Sequence, residues 1–543
     1  MKLNQQPFLI LDCQTTGMRP SVGHLLEIAW VWAKADGSAE EPVESRLIRL
    51  PEGDWIPPRV REITGITDED MAAAVEAETV RQQFLEAIAK GEGRPVALAH
   101  YSQFEEPFLK AFLSCEELPF DLLCTHKLSK RLFPHVPSRN IRGLTGFFGV
   151  RIGDIKRAEA HVRATREIWK GLTAELDKQG LVDYASVCEW LNKPAPKPDK
   201  KAPKAKAPSY EYRVDRTKRL GLPEKPGVYR MRAKSGEILY VGKATCLKDR
   251  VNSYFRGKRG RDPRKLELMA QVWDLDYIEC NSAIEAALLE SDEIKKYDPP
   301  YNVVLKTGRR GLVFYSRDFE SSSARQDDAH RIGPFKRYNY VEMLRSLKQS
   351  FESALTRHKI LQVFQHEEFE IESLEGALAL FCEKERIDAK CLRSMRGLMA
   401  LALQQFRKHR KEPEVEAAET AGDLDQDPAA PDAEIALVTP EELAAKFGRL
   451  FVRAGVEYSR AKRMTRLLNA RVRWQDKDGW KSLETRRGRL DFAAQAESSD
   501  PVDAGPTFPW NGLEIADYDR ISILLAEISR YPHEIESGTT LPA

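Results

Sequence analysis

The N-terminal part of the chain contains the stretch FLILDCQTTG, residues 8–17. Its apolar run, Phe8–Leu11, predicts a buried strand, and the TTG that ends the stretch predicts a turn. Just before this turn the strand presents Asp12 and Gln14 at alternate positions. Two acidic side chains at such positions are typical of a site for two metal ions, but here an amide replaces the second acid. The pattern therefore indicates a metal site that has been altered.

Length and composition limit the possible classes of protein. The 543 residues are enough for three or four domains, and the net charge of +2 is close to neutral. Residues 193–208 form a basic linker rich in Pro, Ala and Lys, and residues 411–434 form an acidic one. The eight cysteines have no metal-ligand spacing, and no apolar segment reaches the length of a membrane span. We expect a soluble, cytoplasmic protein without a membrane partner.

Residues 1–192 alternate between strand and helix patterns. FLILD, LLEIAWVWA, SRLIRL and PVALAH read as strands, whereas ETVRQQFLEAIAKG and FEEPFLKAFLS read as amphipathic helices. This alternation predicts a mixed sheet with helices on its faces, that is, an α/β domain.

This block resembles the DEDDh proofreading exonucleases over about residues 7–172. The resemblance implies a ribonuclease H-like fold and a site where four acidic residues and a histidine bind two metal ions. In this sequence Asp12 and His161 match that pattern. Gln14, Glu105 and Arg166 stand where the family has a Glu and two Asp residues.

These replacements predict a loss of catalysis. A neutral amide is a poor ligand for a hard cation, and a guanidinium inside the site would repel both ions. We therefore expect an inactive exonuclease-like domain that is kept as a platform for a DNA end or a partner protein. Two alternatives are an exonuclease that tolerates the replacements and an unrelated α/β domain.

Residues 209–325 contain a second set of motifs. GVYRMR and EILYVG flank AKSG and predict a β-hairpin. PGVY and LYVGKA resemble the signature strands of the GIY-YIG endonucleases, most of all the N-terminal domain of the excinuclease C family, from about Leu222 to Lys306. The resemblance implies a small α+β domain whose functional residues are Tyr229, Tyr240, Lys243, Arg250, Tyr254, Glu290 and Asn302.

The spacing of these residues agrees with phosphodiester hydrolysis. Arg250 and Tyr254 lie four apart on one helical face, so both can point at the same place. Glu290 is a lone carboxylate on an apolar helical face, and we expect it to hold one Mg²⁺ or Mn²⁺ ion. One of Tyr229 and Tyr240 is expected to take the proton of the attacking water, beside Lys243. Asn302 is expected to have a structural role.

A basic loop follows the predicted catalytic helix at YFRGKRGRDPRK, residues 254–265. Such a loop positions DNA through its phosphates without reading the sequence. The expected DNA-binding residues are Lys248, Arg256, Lys258, Arg259, Arg261, Arg264 and Lys265.

The remaining chain is predicted to be mostly α-helical, with a helical region at 326–410 and an α+β region of unknown role at 435–543. The whole chain is therefore expected to be a multidomain α/β endonuclease that makes structure- or damage-directed single-strand incisions in DNA repair. Its partners would be DNA and other repair proteins, at a bacterial-type nucleoid. The alternatives are a 3′–5′ exonuclease and a non-catalytic DNA-binding scaffold.

Overall fold

The computed structural model divides the chain into two compact units. The first unit contains Met1–Cys280 with Pro299–Tyr301, and the second contains Asn281–Asp298 with Asn302–Ala543. The structure describes residues 3, 6–39, 41–194, 210–256, 262–302, 311–337, 339–350, 371–409, 439–491, 502 and 506–538.

The first unit begins with a five-stranded sheet in the order β3-β2-β1-β4-β5. β1 pairs antiparallel with β2 and parallel with β4. Alternate residues of β1 enter different cores, Phe8 and Ile10 on one face and Leu9 and Leu11 on the other. Because both faces are covered, the strand is apolar throughout. The strands are β1 (Phe8–Thr15), β2 (Leu25–Ala33), β3 (Glu44–Leu47), β4 (Val96–Ala99) and β5 (Asp121–Cys124).

Helices cover this sheet, as the sequence pattern predicts. They are α1 (Pro58–Thr64), α2 (Asp68–Ala72), α3 (Ala77–Ala89), α4 (Ser102–Leu113), α5 (Thr125–Leu132), α6 (Ile141–Phe147), α7 (Ala158–Lys178) and α8 (Tyr184–Asn192). Glu27, buried on β2, fixes the start of α7. Its carboxylate accepts one hydrogen bond from the Arg157 guanidinium at 2.8 Å and one from the Ala158 backbone N–H at 3.0 Å. The mixed sheet and its helices give the ribonuclease H-like fold.

The same unit continues with a smaller antiparallel sheet in the order β7-β6-β8. Its elements are β6 (Gly227–Arg232), β7 (Ile238–Ala244) and β8 (Asp274–Glu279), with α9 (Arg216–Leu220), α10 (Leu247–Ser253) and α11 (Pro263–Gln271). The predicted hairpin is formed by β6 and β7. α11 packs against α6, where Trp273 Nε1 donates to the Gly146 carbonyl at 2.7 Å. The two domains therefore share a packed interface.

The second unit begins with α12 (Ala283–Tyr297), the helix on which Glu290 was expected. It contains a three-stranded sheet of β9 (Leu312–Tyr315), β10 (Ser322–Ser323) and β11 (Ile332–Lys336). A four-stranded sheet follows, made of β12 (Ala470–Asp476), β13 (Gly479–Arg486), β14 (Arg489–Asp491) and β15 (His533–Ser537). Its longer helices are α13 (Tyr340–Ser350), α14 (Ile371–Glu385), α15 (Met395–His409), α16 (Pro440–Arg466) and α17 (Ile515–Ile528).

The division between the two compact units does not coincide with the predicted domain boundary at residue 325. The first 280 residues form one unit, whereas α12, β9 and β10 belong to the second, because α12 packs on α17 and β9 pairs with β11. The region predicted as helical from 326 therefore opens with a strand. The linker at 193–208 lies mostly, and the linker at 411–434 entirely, outside the described residues. Among the helices that are described, none has the length and apolarity needed to cross a membrane.

Candidate functional site

The hairpin of β6 and β7 brings the two predicted tyrosines together. The ring centroids of Tyr229 and Tyr240 are 6.1 Å apart. Tyr229 is 1% exposed, whereas Tyr240 is half-buried. Gly242 faces Tyr229 across the hairpin, and a Cβ there would lie 2.4 Å from the Tyr229 hydroxyl. Glycine is therefore required at this position because the tyrosine hydroxyl occupies the space of a side chain.

α10 adds Arg250 and Tyr254 to the same place, as their spacing predicts. The hydroxyls of Tyr229 and Tyr254 are hydrogen-bonded at 3.0 Å. The Arg250 guanidinium lies 5.4 Å from the centroid of the Tyr254 ring. Arg250 is exposed, so it combines fixed charge with access for a ligand.

Burial distinguishes the two hairpin tyrosines chemically. Burial, and then the neighbouring hydroxyls of Tyr240 and Tyr254, raise the pKa of Tyr229 well above its usual range. A phenol in that environment keeps its proton. Lys243 is half-buried on β7 and pairs in register with Val228, one position along from Tyr229.

Glu290 and Asn302 belong to the second unit. Glu290 is half-buried on α12, and Asn302 is buried. Ion pairs on this helix connect it to α17, because Arg520 contacts both oxygens of Asp292 at 3.0 Å and Lys295 lies 2.9 Å from Asp519. The helix that bears Glu290 is thus held by the C-terminal part of the chain.

The exonuclease-like domain contains a cavity of about 500 Å³. Asp12, at its base, accepts a hydrogen bond from Gln14 Nε2 at 3.2 Å and lies 3.1 Å from His161 Nδ1. Burial opposes the charged form of His161, but the Asp12 carboxylate outweighs it and raises the pKa of the imidazole. The cavity is lined by Asp12, Cys13, Gln14, His100, Tyr101, Phe104, Glu105, Asn140, Ile141, Arg142, Ile155, His161 and Glu267.

Glu105 faces Asp12 in this cavity. It is 2% exposed, and its Oε2 has no hydrogen-bond partner. Burial, and then the Asp12 carboxylate, raise the pKa of Glu105 well above its usual range. Within the described part of the chain, no group of three or more His, Cys, Asp or Glu side chains could hold a metal ion. Asp12, Gln14, Glu105 and His161 therefore do not fit a two-metal site.

Arg166 differs from the sequence-based expectation. Its guanidinium does not line the cavity that Asp12 and His161 line. Instead its Nε lies 3.9 Å from Glu167 Oε1, and this Nε is buried without a hydrogen-bond partner. Arg166, which stands where the family has an Asp, is therefore directed away from the cavity. The predicted repulsion between its guanidinium and metal ions in the cavity does not apply.

The predicted DNA-binding residues are only partly described. Lys248 forms an ion pair with Glu224 at 2.8 Å. Arg256, Arg264 and Lys265 are exposed. Lys258, Arg259 and Arg261 lie outside the described residues.

Two structural contacts escape the motif patterns. Glu27 fixes the start of α7, one turn before His161. It is the one charged residue in LLEIAWVWA, and this exception in an apolar strand could have indicated a structural role. Glu267 belongs to α11 of the GIY-YIG region yet lines the exonuclease-like cavity. Nothing local marks it, because its partners are distant in sequence.

Comparisons with known proteins match both regions. The family model of the UvrC-like GIY-YIG domain matches residues 225–303, and the family model described as exonuclease matches residues 9–146. Each covers less than half of the chain. A putative bifunctional exonuclease/endonuclease protein of Mycobacterium tuberculosis is 29% identical over 313 residues, which are 56% of this chain and 45% of that protein.

A second relative matches a shorter part of the chain. UvrABC system protein C of Thermoanaerobacter sp. is 52% identical over 121 residues, which are 21% of this chain and 20% of that protein. This chain therefore spans less than half the length of both curated relatives.

Among solved structures, E. coli exonuclease I with a dT13 oligonucleotide is 15% identical, with a TM-score of 0.29, and the match covers 32% of this chain and 43% of that one. The magnesium-bound GIY-YIG domain of Thermotoga maritima UvrC is 38% identical, with a TM-score of 0.15, and the match covers 16% of this chain and 94% of that one.

Both family matches fall on the domains whose sites are built above. The chain joins a domain of the exonuclease family, with a ribonuclease H-like fold, to a nuclease domain of the UvrC-like GIY-YIG family.

Proposed function

We propose that the protein is a metal-dependent DNA endonuclease that makes structure- or damage-directed single-strand incisions through its GIY-YIG domain. The observation that carries this proposal is the cluster in which the Tyr229 hydroxyl bonds the Tyr254 hydroxyl and the exposed Arg250 guanidinium lies 5.4 Å from the centroid of the Tyr254 ring. A structural tyrosine pair has no need of an exposed guanidinium. The 52% identity to a UvrABC system protein C over this region supports the same chemistry.

Each residue of this site has a role in the proposed reaction. Arg250 binds the non-bridging phosphate oxygens and stabilises their charge in the transition state. Tyr240, the more accessible hairpin tyrosine, accepts the proton of the attacking water beside Lys243, whereas the buried Tyr229 orients its neighbours. Glu290 fits a divalent cation of the Mg²⁺ or Mn²⁺ type, since such ions are commonly held by one or two carboxylates and water. When bound, the cation stabilises charge on the leaving 3′ oxygen.

In this proposal the exonuclease-like domain does not cleave DNA. Asp12 is already satisfied by Gln14 and His161, and Arg166 offers no ligand where the family has an acid. The basic residues after α10, among them Arg256 and Arg264, bind phosphates of the duplex. Other repair proteins are partners under the same proposal.

The test is cleavage of end-labelled duplex, flapped, nicked and adducted DNA with Mg²⁺ or Mn²⁺. Wild type is compared with Glu290→Ala and Asp12→Ala. We expect internal cuts that disappear only in Glu290→Ala. A 3′ ladder that disappears in Asp12→Ala would instead assign activity to the exonuclease-like site, and binding without cutting under every metal would leave a scaffold protein.

A further inference from the structure

Glu267 occupies a position between the two domains of the first unit. It lies on α11, in the GIY-YIG domain, yet its side chain lines the cavity that contains Asp12 and Glu105. Every other residue lining that cavity comes from positions 12–161. One carboxylate of the GIY-YIG domain is therefore part of the wall of the exonuclease-like cavity.

The two oxygens of Glu267 have different partners. Oε2 accepts a hydrogen bond from Asn140 Nδ2, and Oε1 accepts one from the Tyr301 hydroxyl at 2.5 Å. Asn140 is itself fixed, because its Oδ1 caps α6 by accepting from the Gly143 N–H at 2.8 Å. Glu267 thus connects a helix cap of one domain to a tyrosine of the other.

Tyr301 carries the connection to the hairpin. Its backbone N–H donates to the Leu239 carbonyl at 3.1 Å, and Leu239 immediately precedes Tyr240 on β7. Gln271 Nε2 contacts the Tyr301 hydroxyl and also donates to the Glu267 carbonyl at 3.1 Å. Tyr301 is therefore held at both its side chain and its backbone.

The interface around these residues is closely packed. A Cβ on Gly146 of α6 would lie 2.1 Å from Gln271 Cγ, so only glycine lets the helices approach. The Arg213 guanidinium lies 3.9 Å from the centroid of the Phe147 ring. Because packed interfaces transmit displacement instead of absorbing it, a shift at Asn140 would reach Glu267 and Tyr301.

We propose that Glu267 is a positioning residue for the endonuclease. Its carboxylate ties the exonuclease-like domain, through Asn140, to Tyr301 and thereby holds β7 with Tyr240 in place. The exonuclease-like domain then serves as a structural support of the second site. This inference rests on the proposed endonuclease function.

Three substitutions, one at each of Asn140, Tyr301 and Glu267, test whether these hydrogen bonds position β7. Asn140→Asp keeps a good helix cap but places a second carboxylate against Glu267. Tyr301→Phe removes one hydroxyl, and Glu267→Gln replaces the shared carboxylate. Glu86→Gln is the matched control, since Glu86 is exposed on α3, away from the cavity lining.

The first readout is the rate of incision. We expect each of the three substitutions to lower the single-turnover rate about tenfold, since small misplacements remote from the chemistry have effects of this size. The DNA concentration at half-maximal rate should stay within about twofold, because the contacts to DNA are untouched. The double variant Asn140→Asp/Tyr301→Phe should lose no more than the stronger single variant, because both act through Glu267.

The second readout is hydrogen exchange of the peptide spanning residues 238–244, which does not depend on activity. Asn140→Asp should speed exchange in this peptide although the change lies in the other domain. Unchanged exchange there, or effects on rate that multiply in the double variant, would overturn the proposal. If wild type cuts no DNA, the proposed function fails, and the exchange data still decide whether Glu267 positions β7.

Discussion

In the exonuclease-like site Asp12 is satisfied by neighbouring side chains, whereas in the GIY-YIG site an arginine remains exposed. Asp12 is bonded to Gln14 and paired with His161. The Arg250 guanidinium lies over the Tyr254 ring and still reaches solvent. A site whose charges are neutralised internally has little left for a phosphate, and a site with an exposed guanidinium attracts one.

The comparison also shows that the sheet of the exonuclease-like domain does not depend on the residues of its candidate site. The sheet is held by buried apolar residues such as Phe8 and Leu9, and not by Gln14 or Arg166. The packing of α6 against α11 adds a structural role to the same domain. Catalytic residues and supporting residues are therefore separable in the same domain.

The largest expected effect is the loss of incision in Glu290→Gln. Glutamine is a poor ligand for the divalent cation that Glu290 would hold, so stabilisation of the leaving oxygen should be lost and the rate should fall about a thousandfold. Asp12→Asn, the matched change in the exonuclease-like site, should leave the rate within about twofold. Both are measured as single-turnover incision of a labelled duplex. Equal losses in the two variants would break the comparison.

The next effect is expected for Arg250→Lys. Lysine keeps the charge but loses the planar fork that binds two phosphate oxygens, so the rate should fall about a hundredfold. Arg59→Lys, at an exposed position of α1, serves as the control. A rate unchanged by Arg250→Lys would show that a point charge suffices and that the guanidinium geometry is irrelevant.

A smaller gain is expected when the missing acids are restored. The triple variant Gln14→Glu, Glu105→Asp, Arg166→Asp supplies carboxylates where the family has them. We expect release of mononucleotides from the 3′ end of DNA at about tenfold above the wild-type background, since two cations could then be held. The assay uses a Glu290→Gln background to remove endonuclease cuts. No gain would mean that backbone positions, and not only side chains, have changed.

The smallest effect concerns stability and pH. Glu105 has a raised pKa in the folded protein, so its contribution is fully present below its ordinary value of 4.5 and is lost as the pH rises toward the folded pKa. The Glu105→Gln variant has no carboxyl group to ionise, so it does not lose stability as the pH rises. It should melt at a higher temperature than wild type at pH 8 and at the same temperature at pH 4. Calorimetry of both proteins beside Glu86→Gln checks this. A lower melting temperature at pH 8 would mean that the ionised carboxylate is stabilising.

Several features could be predicted from local sequence. The apolar run at Phe8–Leu11 and the hairpin around Gly236 formed as strands because their patterns depend on near neighbours. The spacing of Arg250 and Tyr254 likewise brought these two side chains together, with Tyr254 bonded to Tyr229. Helical and strand periods are properties of the chain itself, so these predictions needed no tertiary information.

Other features were decided by contacts between distant residues. Asn140 and Glu267 are 127 positions apart, and Asp292 and Arg520 are 228 apart. No local pattern marks such pairs, so sequence reasoning missed the wall of the cavity and the packing of α12 against α17. It also placed Arg166 inside a site that the side chain avoids, because side-chain direction follows from packing. The sequence alone therefore determined the two nuclease motifs and their strands, and only the tertiary structure decided which side chains meet.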